Sequence, residues 1–223
     1  MFAERLAAFH GELERELAAC GRSPESVTIL GVSKKQPLAA IRAAYAAGLR
    51  SFGENYLQEA AEKFAPLREE GLAFALHFIG HLQSNKAAKI AALVDCVQSV
   101  DREEAASALE RGAERAERVL PVLLQLNISP SERFGCLPAE APRLAERLHA
   151  CSHLRLDGVM AVAPITTDRA EISAAFELAA KTLPLVGGTT LSIGMSGDWR
   201  EAVRAGSTML RIGSALFGAR PSA

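Results

Sequence analysis

The stretch SVTILGVSK (26–34), followed by PLAAIRAAYAAG (37–48) and LRSFGEN (49–55), decides the fold. Residues 26–34 are apolar and β-branched, as is typical of a buried strand. Residues 37–48 show helical spacing, with Pro37 suited to an early helical position and Gly48 to a helix end. Residues 49–55 return to a short strand and loop. A strand, a helix and a second strand in this order predict parallel pairing.

The same strand–helix unit recurs along the whole chain. Further strand candidates lie at 74–80, 96–100, 119–129, 154–164, 189–195 and 207–218, each followed by a helix or a helical turn. An amphipathic helix at 3–20 precedes them, with Leu6, Phe9, Leu13 and Leu17 at helical spacing. Eight such units predict an α/β fold, a single (β/α)8 barrel of the TIM type with an additional N-terminal helix.

An open, doubly wound sheet is the alternative architecture. It normally uses fewer strands and opens on a glycine-rich first turn, GxGxxG, which this sequence lacks. The chain has no linker rich in proline, glycine or serine. We therefore expect residues 1–223 to form one domain.

Composition excludes several classes of protein. Of the 223 residues 49% are hydrophobic and 23% are charged, which indicates a globular chain. The formal net charge of −1 provides no basic field for nucleic acid. The four cysteines form no CxxC pair, the N-terminus lacks an apolar signal core, and no apolar run is long enough to span a bilayer. We expect a cytoplasmic protein without disulfides.

Lys34 is the first candidate functional residue. Active groups of such barrels lie at the carboxyl ends of the strands, and Lys34 ends the first strand candidate. With Thr28, Leu30 and Val32 on the same side of that strand, its side chain is expected at the centre of the barrel mouth. Desolvation there lowers the pKa of an amine and frees it for imine formation. A solvated lysine at the strand end is the alternative, and position alone favours it slightly.

Two loops resemble phosphate-binding turns. GMSGD (194–198) and RIGSALFG (211–218) each join a strand to a short helix through small residues, and Asp198 with Glu201 matches a capping pattern. They follow the seventh and eighth strand candidates, where barrels often hold phosphate. Ordinary turn chemistry is the alternative. His77 and His81 fall on a strand and its loop without other ligands nearby, so we expect no metal site.

Six motifs resemble the YggS/PROSC family of pyridoxal 5′-phosphate (PLP) homeostasis proteins, from about Ile29 to Arg220. They are VSKKQP (32–37), FGENYLQEA (52–60), HFIGHLQSNK (77–86), GVMAVAP (158–164), LSIGMSGD (191–198) and AGSTMLRIGSALFGAR (205–220). Their order and spacing make the resemblance specific.

The resemblance implies a fold, a cofactor and site residues. The fold would be the alanine-racemase-like barrel without its second, β domain. Lys34 would carry PLP as a Schiff base, and Asn55 would line the cofactor ring. Ser196, with the turn at Gly213 and Ser214, would form the phosphate cup. Arg211 would face the pyridine nitrogen. One departure is Glu132-Arg133-Phe134-Gly135, where relatives often carry a KxG element, and it bears on the rim of the pocket.

The resemblance also implies a carrier or reservoir of PLP, without substantial catalysis, that passes the cofactor to apo-forms of PLP enzymes. An arginine leaves the pyridine nitrogen unprotonated and weakens the electron sink. We expect no second domain after Ala223 to supply an opposing acid or base, and we expect a monomer.

Two other functions remain open. A small PLP-dependent amino-acid racemase could use Tyr45, Tyr56, His77 or His81 as its second base. A sugar-phosphate isomerase could use the same phosphate cup, with Lys34 forming an imine to its substrate.

Overall fold

The fold is a closed barrel of eight parallel strands, which confirms the predicted architecture. The structure, a computed structural model, describes residues 1–129 and 134–218. The strands are β1 (Thr28–Val32), β2 (Ser51–Glu54), β3 (Ala75–Phe78), β4 (Cys96–Val100), β5 (Leu120–Leu126), β6 (Leu154–Ala161), β7 (Thr190–Ser192) and β8 (Met209–Ile212). Each strand lies inside a predicted segment.

The helices alternate with the strands, as predicted. They are α1 (Phe2–Ala19), α2 (Leu38–Ala46), α3 (Leu57–Glu69), α4 (Ala87–Leu93), α5 (Glu103–Arg115), α6 (Ala141–His149), α7 (Arg169–Val186), α8 (Trp199–Arg204) and α9 (Ser214–Phe217). Short 3-10 turns at Pro24–Ser26 and Ser84–Lys86 precede β1 and α4. None of the helices in the described ranges is both long enough and apolar enough to cross a bilayer.

Pairing of β1 with both β2 and β8 closes the barrel. Leu30 of β1 lies opposite Arg211 of β8, and Val32 lies opposite Gly53 of β2. The carboxyl ends of the first two strands and the last strand therefore adjoin one another at the barrel mouth. A closed parallel barrel leaves no unpaired strand edge.

The predicted N-terminal helix packs on the outer helical layer. Its apolar stripe, Leu6, Phe9, Leu13 and Leu17, is buried. The rings of Phe2 and Phe217 lie 5.0 Å apart, and those of Phe9 and Trp199 lie 5.2 Å apart. These contacts join α1 to α8 and α9, the two helices that follow the predicted phosphate-binding loops. The extra helix therefore supports that side of the barrel.

The barrel interior combines an apolar layer with polar side chains. Cys96, Leu123 and Met160 form a small buried cluster that is separate from the main core. Gln98 of β4 is bonded to Ser192 of β7 at 2.7 Å. Because β4 and β7 are not neighbours, this bond crosses the barrel interior. Polar groups thus occupy part of the barrel core, where each needs a partner.

Candidate functional site

The six residues predicted to bind the cofactor lie on four neighbouring strands or in the segments that follow them. Lys34 follows β1, Asn55 follows β2, Ser196 follows β7, Arg211 belongs to β8, and Gly213 and Ser214 follow β8. Strands β7, β8, β1 and β2 are consecutive in the closed barrel. All six residues therefore belong to one side of the barrel and its mouth.

Lys34 lies in a turn and not at the last position of β1. The strand ends at Val32, so strand alternation does not orient the lysine, and that part of the sequence argument is wrong. The Ser33 N–H donates to the carbonyl oxygen of Gly53 at 3.1 Å. A β-carbon on Gly213 would lie 3.6 Å from that of Val32. The turn thus sits between the ends of β2 and β8.

A buried group of charges lies against the Lys34 turn. The Lys63 ammonium lies 2.6 Å from Glu54 Oε1 and 2.7 Å from Glu59 Oε1, and it donates to the Ser33 carbonyl oxygen at 2.8 Å. We call Ser33, Glu54, Glu59 and Lys63 the Lys63 cluster. Burial raises the pKa of Glu54, and the adjacent Lys63 opposes that rise.

Sequence reasoning missed the role of Lys63, although a signal for it exists. Helix α3 buries Ala60, Lys63, Phe64 and Leu67, which share one helical face. A lysine within an apolar stripe at this spacing indicates a buried charge, and such charges are paired. Glu59 precedes Lys63 by four residues, the spacing at which oppositely charged side chains meet on a helix.

Ser196 connects the two predicted phosphate-binding loops. Its hydroxyl oxygen accepts the Ala215 N–H at 3.2 Å, so the loop after β7 touches the first turn of α9.

The predicted capping role of Asp198 is wrong. Its side chain makes no bond to the helix it precedes and accepts the Met195 N–H of its own turn instead. Burial raises the pKa of this carboxyl group.

Arg211 is a buried cation that projects into the barrel. It is 4% exposed, and its guanidinium donates to Ser192 Oγ at 2.8 Å and to the Ala161 carbonyl oxygen at 2.7 Å. Burial lowers the pKa of Arg211 to about 10, which leaves it charged at neutral pH. No carboxylate of the described chain lies within 4.0 Å of it. Asp198 acts on Arg211 through charge and opposes the lowering of its pKa, but it forms no ion pair with the guanidinium. A buried guanidinium with no carboxylate in contact favours an anionic or electron-rich ligand.

A directed chain of hydrogen bonds runs inward from Arg211. Arg211 donates to Ser192, the Ser192 hydroxyl donates to Gln98 Oε1, and Gln98 Nε2 lies 2.9 Å from His77 Nδ1. For Gln98 Nε2 to donate, His77 Nδ1 must accept, so the imidazole carries its proton on Nε2. Desolvation lowers the pKa of His77 to about 4. The sequence signal for Gln98 and Ser192 was the presence of polar residues within the buried strand segments CVQSV (96–100) and TLS (190–192).

Asn55 borders a cavity of about 640 Å³ at the ends of β2 and β3. Its Oδ1 atom is buried and has no hydrogen-bond partner within residues 1–129 and 134–218. The rings of His81 and Phe134 stack across another wall of the cavity, 3.9 Å apart. Of the six predicted residues, Asn55 lines this cavity and the other five do not. Glu132 and Arg133 of the departing element lie outside the described residues.

The four candidate second bases differ in position. Tyr45 packs its ring against Arg50 at the start of β2, away from the mouth. His77 is buried in the barrel and bonded to Gln98. Tyr56 is 53% exposed beside Asn55, and His81 lines the cavity there. In the described part of the chain, no group of three His, Cys, Asp or Glu side chains could hold a metal.

Comparison with known proteins identifies the family. Residues 13–221 match the model of the alanine racemase N-terminal domain. The chain is 45% identical over 221 residues to the pyridoxal phosphate homeostasis protein of Pseudomonas aeruginosa, covering 98% of this chain and 95% of that protein. The chain belongs to the pyridoxal phosphate homeostasis protein family.

Two solved structures show the same architecture. PipY of Synechococcus elongatus, solved with PLP bound, is 38% identical and superposes with a TM-score of 0.83, covering 98% of this chain and 100% of PipY. The alanine racemase of Corynebacterium glutamicum is 17% identical, with a TM-score of 0.70 over 98% of this chain and 62% of the racemase. The second likeness concerns the fold alone.

The residues at the mouth fit PLP by the chemistry of their donors. Arg211 is a buried guanidinium with no carboxylate of the described residues in contact, and PLP carries a negatively charged phosphate and an electron-rich ring nitrogen. Asn55 has a buried oxygen without a partner among the described residues. The Ser196 hydroxyl adjoins the first turn of α9. These three features suit a polar, anionic cofactor.

The buried imidazole of His77 predicts a pH-dependent stability. The pKa of His77 in the folded chain is about 4, below its ordinary value of 6.5, so the unfolded chain binds the extra proton first on acidification. The contribution of neutral His77 to the free energy of unfolding is complete above pH 6.5, and that free energy falls by up to about 3 kcal/mol as the pH drops to 4. Urea denaturation from pH 7 to pH 4 measures it.

The variant His77→Gln keeps an acceptor for Gln98 but cannot titrate, so its free energy of unfolding should fall less steeply over this range. His10→Gln, on the exposed face of α1, should follow the wild type. Equal slopes for wild type and His77→Gln would contradict the assignment.

Proposed function

We propose that this chain binds PLP as a Schiff base on Lys34 and acts in PLP homeostasis as a carrier or reservoir. The observation that carries the proposal is the buried guanidinium of Arg211, which has no carboxylate of the described residues in contact with it and lies on the strand beside the one that leads into the Lys34 turn. Membership of the pyridoxal phosphate homeostasis family supports PLP over the sugar phosphate of the isomerase alternative.

Each proposed contact uses a group that suits its part of the cofactor. Lys34 provides the amine, and Arg211 faces the pyridine nitrogen. Ser196 receives the Ala215 N–H through its oxygen, so its own O–H remains to donate to the phosphate. The N–H groups of Gly213 and Ser214 complete the phosphate cup. Asn55 lines the ring.

The chain's own residues hold PLP without converting amino acids. When bound, PLP supplies an aldehyde that condenses reversibly with an amine, releasing water, and a ring that withdraws electrons best when its nitrogen is protonated. Arg211 stays a cation and donates to Ser192 and Ala161, so it does not protonate that nitrogen. A racemase also needs acid–base groups on both faces of the substrate. Of the four candidate second bases, only Tyr56 and His81 lie near the mouth, so a racemase would have to use one of these two.

The remaining parts of the proposal concern context. We infer that residues 1–223 form one PLP-binding domain that acts as a monomer in the cytoplasm. Its partners are apo-forms of PLP enzymes, which would take the cofactor because Schiff-base formation with Lys34 is reversible.

Borohydride reduction tests the Schiff-base lysine. Protein purified with PLP should be yellow, and after reduction peptide mass spectrometry should find the adduct on Lys34. Lys34→Ala should lose the colour. Lys86→Ala, which removes another lysine near the mouth, should keep it. An adduct mainly on Lys35 or Lys86 would overturn the assignment.

A second prediction concerns the phosphate. Ser196→Ala removes a hydrogen bond to a charged group, worth about 1.5–3 kcal/mol, so it should weaken PLP binding about tenfold or more. Binding of pyridoxal, which lacks the phosphate, should be weak in the wild type and change little in the variant. Ser152→Ala, at an exposed position before β6, is the control. If Ser196→Ala weakened both ligands equally, Ser196 would not be a phosphate ligand.

A third prediction separates carrier from racemase. With saturating PLP and D- or L-alanine, turnover should stay at a trace, and any trace should disappear in Tyr56→Phe or His81→Asn. The same preparation should restore activity to an apo-form PLP enzyme. Robust racemisation that is lost in Lys34→Ala would establish the racemase instead, and failure to supply several apo-enzymes would remove the carrier role.

A further inference from the structure

Both sequence neighbours of Lys34 are held by the Lys63 cluster. On the N-terminal side, the Ser33 carbonyl oxygen accepts a hydrogen bond from Lys63 at 2.8 Å, and the Ser33 hydroxyl donates to Glu54 at 2.7 Å. On the C-terminal side, the Lys35 N–H donates to the Glu59 carboxylate. The cluster therefore fixes the backbone immediately before and after Lys34.

The turn has a backbone conformation that needs such support. Lys35 has a φ of 60°, in the left-handed region that side chains other than glycine rarely adopt. A residue in this region persists when its surroundings hold it there, and such residues gather at functional sites. The Gln36 N–H closes the turn by donating to the Ser33 carbonyl oxygen at 3.0 Å, and the hydrogen bond from the Lys35 N–H to Glu59 is the side-chain contact that holds Lys35 itself.

The ammonium group of Lys63 links the two halves of this support. Its three hydrogens match its three oxygen partners, Glu54, Glu59 and Ser33. Lys63 is 7% exposed and Glu54 is 0% exposed. One oxygen, Glu59 Oε1, accepts both from Lys63 and from the Lys35 N–H. The turn and helix α3 are thereby joined through one buried nitrogen.

Stability alone does not account for this arrangement. Removing two charges from water costs about as much as their attraction returns, and apolar residues of similar volume often serve equally well. Lys63 lies on the apolar face of α3 beside Phe64 and Leu67, where an aliphatic residue would pack. What an apolar residue could not do is hold the Ser33 carbonyl and orient Glu59. The charges are therefore best explained by the conformation they impose on the Lys34 turn.

We propose that Lys63, Glu59 and Glu54 are positioning residues that fix the Lys34 turn and so direct the Lys34 amine into the barrel mouth. This inference rests on the proposed function, because it assigns a purpose to the position of the amine. We assign these three residues no contact with the cofactor. They act by keeping the turn in one conformation, so that the amine does not lose reactivity to conformers that face elsewhere.

Glu59 offers the cleanest test, because it is partly exposed and its loss leaves the buried pair of Lys63 and Glu54 intact. Glu59→Ala should speed hydrogen exchange at the Lys35 amide about tenfold and weaken PLP binding about tenfold. Glu59→Gln retains the Oε1 acceptor and should recover most of both properties. The matched control is Glu177→Ala, which removes the carboxylate of an exposed pair with Lys181 at the same helical spacing on α7.

The double variant Lys63→Met with Glu54→Gln tests the buried part of the cluster, because it removes both members of the pair and leaves neither as an unpaired buried charge. At a temperature where it is folded, it should show faster exchange at residues 33–35 and weaker PLP binding, although its barrel is intact by circular dichroism. Slower modification of Lys34 by formaldehyde and cyanoborohydride in the PLP-free protein gives a readout that needs no cofactor.

The outcomes separate the two proposals. If wild-type Lys34 does not take up PLP, the proposed function fails, while exchange and formaldehyde labelling still report on the turn. If Glu59→Ala leaves both the Lys35 amide and Lys34 labelling unchanged, the positioning role fails even when PLP binds normally. A lowered Tm with unchanged affinity of the folded protein would show that the cluster is merely structural.

Discussion

The parallel pairing of β1 with β8 is the constraint on which the candidate site depends. Lys34 and Arg211 come from distant parts of the chain, and they fall in one candidate site because these two strands close the barrel with Leu30 opposite Arg211. Closure also places Gly213 against Val32, just before the Lys34 turn. In a parallel barrel every strand ends at the same rim, so one closing pair assembles side chains from both ends of the sequence.

Two kinds of buried charge serve this rim in different ways. Lys63 is surrounded by Glu54, Glu59 and the Ser33 carbonyl, so its charge is satisfied within the protein and holds a turn in place. Arg211 has hydrogen-bond partners but no carboxylate of the described residues in contact, and we propose that its charge acts on the ligand. Stability alone explains neither, because even a paired buried charge is often no more stabilising than well-packed apolar residues, and a buried charge with no carboxylate in contact is costly. In the roles proposed here, Lys63 positions the Lys34 turn and Arg211 recognises the ligand.

The polar chain inside the barrel explains how Arg211 keeps its orientation. Each group donates a hydrogen bond to the next, from Arg211 to Ser192, from Ser192 to Gln98 and from Gln98 to His77. The neutral His77 ends the chain as an acceptor. Such a network holds a unique arrangement only when each member is satisfied. Its cost is a dependence on pH, since protonation of His77 removes the last acceptor. The apolar part of the barrel core therefore supports stability, while this polar part supports the site.

The sequence by itself determined the barrel, the order of its strands and the family, because hydrophobic periodicity and motif spacing are local properties of the chain. It also indicated the residues proposed to bind the cofactor, because the rule that barrel sites lie at strand ends gave a set of candidates and the resemblance to the family selected among them. It did not reveal that Lys34 lies in a turn beyond β1, that Asp198 caps its own turn, or that Lys63 and Gln98 have buried polar partners. Those facts depend on which side chains meet across non-neighbouring segments, and only closure of the barrel brings them within hydrogen-bonding distance.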